Sequence, residues 1–209
     1  MFKILESAKT NLGNEIKLLG AEVCEKSPIL IIGVVHGDEP QGEFLINNYL
    51  GKVSEFPKNF LFIPSLNPDG QKLETRTNGN GVDINRNFPT KNWVLGEKNR
   101  YFGGETPASE IETKFVISVI EKYSPKLIIT LHTPFKIVNF DGNAREISEK
   151  ISEIFNYPVE ESIGYPTPGS FGTWAGIERN IPIITIEMDE EIPQEELVEP
   201  FVEMLKILN

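Results

Sequence analysis

Short apolar, β-branched runs alternate along this chain with amphipathic stretches whose apolar residues recur at helical spacing. That pattern predicts one α/β domain, a twisted mixed sheet of about eight strands with helices on both faces. Phe2 to Ser7 and Glu15 to Val23 are expected to open the sheet as an antiparallel pair around Asn11-Leu12-Gly13-Asn14. Pro28 to Val35 predicts a central strand, followed after Pro40 by a helix to about Leu50, and Asn59 to Ser65 predicts another strand. A helix from Ala108 to Tyr123, capped at Ser109 or Thr106 and stopped before Pro125, leads to a strand over Leu127 to Leu131. A short strand over Phe135 to Phe140, a helix over Asn143 to Phe155, a core strand over Pro182 to Glu187 and a closing helix over Gln194 to Leu208 complete the expectation. Between Asn67 and Gly104 no period holds, and a stretch that long, rich in Gly, Asn, Arg and Asp, points to function.

Composition narrows the class. The 209 residues suit one well-cored domain. No apolar run approaches the ~20 residues of a membrane span. The start, Met1-Phe2-Lys3-Ile4, lacks the basic and apolar regions of a secretory signal, and Cys24 is the single cysteine, so a cytoplasmic location is expected. With 31 acidic against 20 basic residues the net charge is -11, a field that repels phosphate backbones and disfavours nucleic acid as a partner.

Both histidines of the chain, His36 and His132, follow strand-like runs, where α/β sheets deliver side chains into a cleft. His36 and Glu39 share one turn. With His132 arriving from another strand, two imidazoles and a carboxylate would make three ligands for a catalytic zinc and leave a fourth position open. Taken alone, His-x-x-Glu also describes a surface turn with a helix-end carboxylate, and Glu187 also describes an edge carboxylate in an acidic patch.

The downstream phrases shift that balance. Asn67-Pro68-Asp69-Gly70, Arg76-Thr77-Asn78, Gly81-Val82-Asp83-Ile84-Asn85-Arg86-Asn87-Phe88-Pro89, Phe140-Asp141-Gly142 and Gly164-Tyr165 through Gly172-Thr173-Trp174, in order with His36-Gly37-Asp38-Glu39 and Glu187, resemble the zinc carboxypeptidase family. Within it they look most like a bacterial branch that acts on murein peptides. The resemblance implies that His36, Glu39 and His132 hold one zinc ion and that Glu187 is the general base. It also implies that Arg76 faces the oxyanion, that Asn85, Arg86 and Tyr165 hold the substrate carboxylate, and that Asp83 orients His36. It further implies a cis peptide between Thr133 and Pro134. The implied reaction is hydrolysis of the γ-D-glutamyl-diaminopimelate amide of a small murein peptide in cell-wall recycling. Thr173 and the acids near Asp189 are candidates for the far end of diaminopimelate, and the Trp93 to Gly103 loop is short for the family. A zinc deacylase of the aspartoacylase or succinylglutamate desuccinylase kind shares the His-Gly-x-Glu and Asn-Arg motifs and stays open at this point, as does a silent peptide-binding module.

Overall fold

The computed structural model describes residues 2–24 and 26–209. Strands β1 (Lys3–Lys9), β2 (Glu15–Gly20), β3 (Ile29–Ile32), β4 (Phe60–Ile63), β5 (Leu127–His132), β6 (Ile137–Asp141), β7 (Val159–Glu160) and β8 (Ile183–Glu187) form one sheet in the order β1-β2-β4-β3-β5-β8-β6-β7. Its centre, β4-β3-β5-β8, is parallel, while β1, β2 and β6 join antiparallel neighbours. Every residue of β3, β4 and β5 is buried, which is why these strands are almost continuously apolar.

Alternation along the strands divides the core in two. Ile29, Ile31, Phe60, Phe62, Ile129, Leu131, Ile184 and Ile186 face helices α1 (Gln41–Lys52), α4 (Arg145–Phe155) and α5 (Val198–Leu208). Leu30, Ile32, Leu61, Ile63, Ile128 and Ile183 face α3 (Ile111–Tyr123) and the aromatic group Phe88, Phe171 and Trp174. The two-faced mixed sheet expected from the pattern is therefore present. No helix among the described residues is long and apolar enough to cross a membrane.

Boundaries moved where local chemistry overrode periodicity. β3 stops at Ile32 because Val34 turns the chain with φ 49°. α3 starts at Ile111 rather than Ala108: Ala108 itself has φ 52°, and neither Ser109 nor Thr106 caps the helix. Ser109 Oγ is used instead by the Asn87 amide, whose Oδ1 takes the Glu110 N–H. The closing helix divides into a 3₁₀ turn over Gln194–Leu197 and α5, with Pro200 in the first turn of α5, where its missing N–H costs nothing. The long irregular stretch conceals α2 (Pro68–Leu73), with Asn67 Oδ1 accepting from the Gly70 N–H. A two-residue edge strand, β7, and a π-helical turn over Thr173–Ile177 were also absent from the pattern.

Candidate active site

The site begins with a bend. Val34, a buried β-branched residue, holds a left-handed φ of 49°, a conformation costing about 1–3 kcal/mol that persists where surrounding structure imposes it. Here the surroundings are specific. Leu66 and Asn67 N–H donate to the carbonyls of Gly33 and Val34 (3.0 and 2.9 Å), and Asn67 Nδ2 reaches the carbonyls of Val35 and Arg76 (both 3.4 Å). Gly37 lies so close to α2 that a Cβ there would sit 2.0 Å from the carbonyl carbon of Gly70. The Asn67-Pro68-Asp69-Gly70 phrase thus acts as a brace that aims the turn carrying His36 and Glu39.

His132 ends β5, and the parallel register pairs it with Glu187 at the end of β8, so both side chains leave the same face at the carboxyl edge. There His36 Nδ1 and His132 Nδ1 stand 2.8 Å from Glu39 Oε1 and Oε2 respectively, and 3.2 Å from each other. All three residues are buried, and among the described residues they form the one group of His, Cys, Asp and Glu whose donor atoms converge within 4.8 Å. Two imidazole nitrogens turned toward each other and one carboxylate make a donor set that suits zinc, with a fourth direction open to the cleft.

Electrostatics favours a cation at this point. Burial works against a charged His36, but Glu39 and Asp83 outweigh it and raise its pKa to about 9. Burial works against the Glu39 charge as well, yet the two imidazoles pull its pKa far below the usual carboxylate range. For His132 burial dominates and lowers the pKa. A field that retains a proton on His36 also attracts a metal ion, whose binding requires that proton to leave.

Asp83 ties this centre to its surroundings. Fully buried, it takes the Arg76 Nε–H at 2.8 Å on Oδ2 and the Asn85 N–H at 2.9 Å on Oδ1, capping the 3₁₀ turn Ile84–Arg86. Its Oδ1 lies 3.4 Å from His36 Nε2, near enough to attract but not aligned as a hydrogen bond. Burial opposes the Asp83 charge, and His36, Arg76 and Arg86 overcome that and hold its pKa well down. One carboxylate therefore fixes the direction of a guanidinium and stands beside an imidazole that it attracts.

Glu187 is buried, its Oε2 has no hydrogen-bond partner among the described residues, and burial followed by the nearby Glu39 carboxylate pushes its pKa up to about 8. A carboxyl that gives and takes a proton near neutrality is what general acid–base chemistry needs. Around it, Arg76, Asn85, Arg86 and Tyr165 line one cleft of about 460 Å³ with His36, Glu39 and Glu187. Asn85 Oδ1 is occupied by the Phe171 N–H (2.9 Å), which turns its amide N–H₂ away from that bond and leaves it free to donate. Gly169, at φ 73°, packs on the Arg86 carbonyl so closely that a Cβ would sit 2.2 Å from the oxygen. This contact, with Phe88 stacked on Phe171 at 4.6 Å, locks the Gly81-to-Pro89 phrase to the Gly164-to-Trp174 phrase.

A second cavity, of about 130 Å³, continues from the cleft down the sheet face past Thr130, Thr185 and Asn139 to Asp141. No Lys or Arg lines it. Thr173 and Asp189, candidates for the far end of a substrate, do not line it: Thr173 Oγ1 bonds Ser170 Oγ (2.9 Å) and Asp189 pairs with Lys136 (2.9 Å). Asp141, Tyr101 and Arg100 are residues at the site that sequence reasoning missed. The signal for Asp141 was available, because Thr130/His132, Asn139/Asp141 and Thr185/Glu187 put a polar residue at every second position of otherwise apolar strands. The Thr133–Pro134 peptide is cis, as expected.

A sheet of this topology with two histidines and a glutamate converging at its carboxyl edge defines a metallohydrolase. Residues 2–155 match the family model described as zinc carboxypeptidase, and the chain belongs to that family; it is a metallopeptidase. Murein peptide amidase A of Vibrio campbellii is 33% identical over 192 residues, 86% of this chain and 77% of the relative, and that of Escherichia coli K12 is 31% identical over 84% and 77%. The crystal structure of murein-tripeptide amidase MpaA from Escherichia coli O157 superposes with a TM-score of 0.84 at 28% identity, covering 99% of this chain and 91% of that one. Carboxypeptidase A of Helicoverpa armigera shares the fold, with a TM-score of 0.79 at 18% identity over 99% and 67%.

Proposed function

We propose that this enzyme hydrolyses the amide joining γ-D-glutamate to diaminopimelate in small murein peptides, serving the cytoplasmic recycling of wall fragments. The observation that carries the hydrolytic part is the convergence of His36, Glu39 and His132 with Glu187 at the same strand edge. One zinc ion bound by those three side chains supplies Lewis acidity at the carbonyl and lowers the pKa of a water. Glu187 accepts the proton of the attacking water and passes it to the departing amine. Arg76, its Nε fixed on Asp83, turns its remaining N–H groups toward the carbonyl oxygen that gains charge. The free amide of Asn85 and the guanidinium of Arg86 grip the carboxylate next to the scissile nitrogen, and Tyr165, at the junction of cleft and inner cavity, closes over it.

The inner cavity supports diaminopimelate as the amine-side residue. Asp141 faces Ile183 across the β6–β8 pair, four residues from Glu187, which places it about 13 Å along the strand. That span suits a four-carbon stem with an ammonium at its end, reached by the Asp141 carboxylate. No donor among the described residues reaches the Asp141 oxygens, and burial raises its pKa. Glu161, also on the wall, is already paired with Arg145. The two amidase relatives are named for murein peptides, and a diaminopimelate residue in such a peptide would carry this group.

The test is product analysis. Zinc-loaded protein is incubated with L-Ala-γ-D-Glu-meso-diaminopimelate and, separately, with an N-acyl amino acid, with and without a chelator. Free diaminopimelate from the tripeptide alone, abolished by chelation and restored by zinc, is expected; release only from the acyl amino acid supports the deacylase reading, and binding without turnover supports the silent module.

A further inference from the structure

The short Trp93 to Gly103 loop places one cation at the cleft for which the reaction has no use. Arg76 and Arg100 flank the ring of Tyr101, with guanidinium carbons 5.2 and 5.6 Å from its centroid. Arg76 is engaged by Asp83 and lies 3.9 Å from Glu39. Arg100 makes no hydrogen bond among the described residues; its nearest acid, Asp38, is 3.7 Å away, and its side chain is 61% exposed. The segment is nevertheless anchored: the Asp83 N–H donates to the Phe102 carbonyl (2.8 Å), and the Tyr101 N–H to Asn99 Oδ1 (2.8 Å). Arg100 is thus held beside the metal turn with its donors free.

Beyond Arg76, the cleft opens into a groove of about 540 Å³ lined by Arg100, Lys98, Asn99 and Thr77. Asp38 also lines the groove and Lys98 is paired with Glu105, which leaves the guanidinium of Arg100 as its loosely held cation. The inner cavity and the Asn85–Arg86 pair take the amine-side residue, so the acyl side leaves past Arg76. Another exit, lined by Val94, Tyr101, Pro166 and Pro168, is largely apolar, and its one cation, Arg86, is already assigned to the amine-side carboxylate.

A glutamyl residue joined through its side-chain carboxyl keeps a free α-carboxylate on the acyl side, whereas the same residue with that carboxyl amidated presents a neutral group there. Resting on the substrate reading above, we infer that Arg100 is a specificity-determining residue that receives this acyl-side carboxylate. It thereby selects γ-glutamyl amides that keep a free α-carboxylate over those in which that carboxyl is amidated. The guanidinium offers a planar pair of N–H groups to a carboxylate, and the approach displaces only the loose contact with Asp38.

The experiment compares two tripeptides, one with D-glutamate and one with the same α-carboxyl as a primary amide, on wild type, Arg100→Gln and Arg100→Lys. Wild type is expected to prefer the free carboxylate by about tenfold in kcat/KM. Arg100→Gln is expected to lose that preference by slowing only the carboxylate substrate, and Arg100→Lys to keep part of it. Equal slowing of both substrates, or an unchanged ratio, overturns the role of Arg100 while turnover itself upholds the parent reading. Titration calorimetry of zinc-loaded Glu187→Gln with both peptides reads the same ratio without turnover. A preference in binding that Arg100→Gln abolishes supports the proposal even if wild type is inactive, and equal or absent binding overturns it.

Discussion

The inner cavity and the mouth of the cleft share Asn85, Tyr165 and Glu187, yet among the described residues only the mouth contains arginine. The cavity is walled by strands β5, β6 and β8 and by the 161–172 segment, with the acids Asp141, Glu161 and Glu187; the mouth is walled mainly by loops and sets Arg76, Arg86 and Arg100 among Asp38, Glu39, Glu187 and Glu190. Their construction differs as well. Cavity positions are fixed by sheet register, so Thr130, Thr185 and Asn139 stand in a row that no loop movement can shift. Mouth positions depend on a chain of loop contacts running through Asp83. On the proposed substrate such a division would sort both ends, with a sheet-borne carboxylate for an ammonium and loop-borne arginines for carboxylates.

Four substitutions test this contrast. Glu187→Gln acts where the two regions meet, and release of diaminopimelate should fall by about 10³-fold or more, while tripeptide binding by calorimetry persists. Loss of binding in step with turnover would make Glu187 a recognition group instead.

Arg76→Ala removes charge from the mouth at the proposed oxyanion position. Its kcat should fall by about 10²-fold to 10³-fold with a smaller change in KM, measured by steady-state kinetics. A change confined to KM would place Arg76 among the ground-state contacts.

Asp141→Asn removes the one carboxylate assigned to the distal ammonium. It should cost about tenfold or more in kcat/KM on the diaminopimelate tripeptide and leave almost untouched the analogue in which 2-aminopimelate, lacking the distal amine, replaces diaminopimelate. If both substrates suffer alike, the acidic floor is structural and the contrast between the regions loses its functional meaning.

Gly169→Ala tests the joint between them. A methyl at φ 73°, 2.2 Å from the Arg86 carbonyl oxygen, must push the two phrases apart. A cost of about 2 kcal/mol, seen as a fall of several degrees in the calorimetric Tm, is expected together with a weaker KM. An unchanged Tm would show that the joint yields freely.

Much of this could be read from the chain because strands and helices announce themselves by period. The apolar runs before His36 and His132, and the run ending at Glu187, predicted strands that the structure contains, since burial on both faces leaves little choice but β-branched and aromatic residues. What could not be read were the places where one side chain substitutes for backbone pairing. Asn87 took the role expected of a helix cap at Ser109, and Val34 ended β3 early by adopting a conformation its residue type disfavours. Both depend on partners far along the chain.

The sequence by itself determined the sheet, the two-faced core and the kinds of donor available for a metal, because periodicity and residue chemistry are local properties. Tertiary contacts leave Asp141 without a hydrogen-bond partner among the described residues, keep the Arg100 donors free beside Tyr101, and occupy the Asn85 oxygen so that its N–H₂ is the group on offer. Those facts depend on which groups from distant segments stand within hydrogen-bonding reach, and that is set by strand order and by how closely glycine lets two backbones approach.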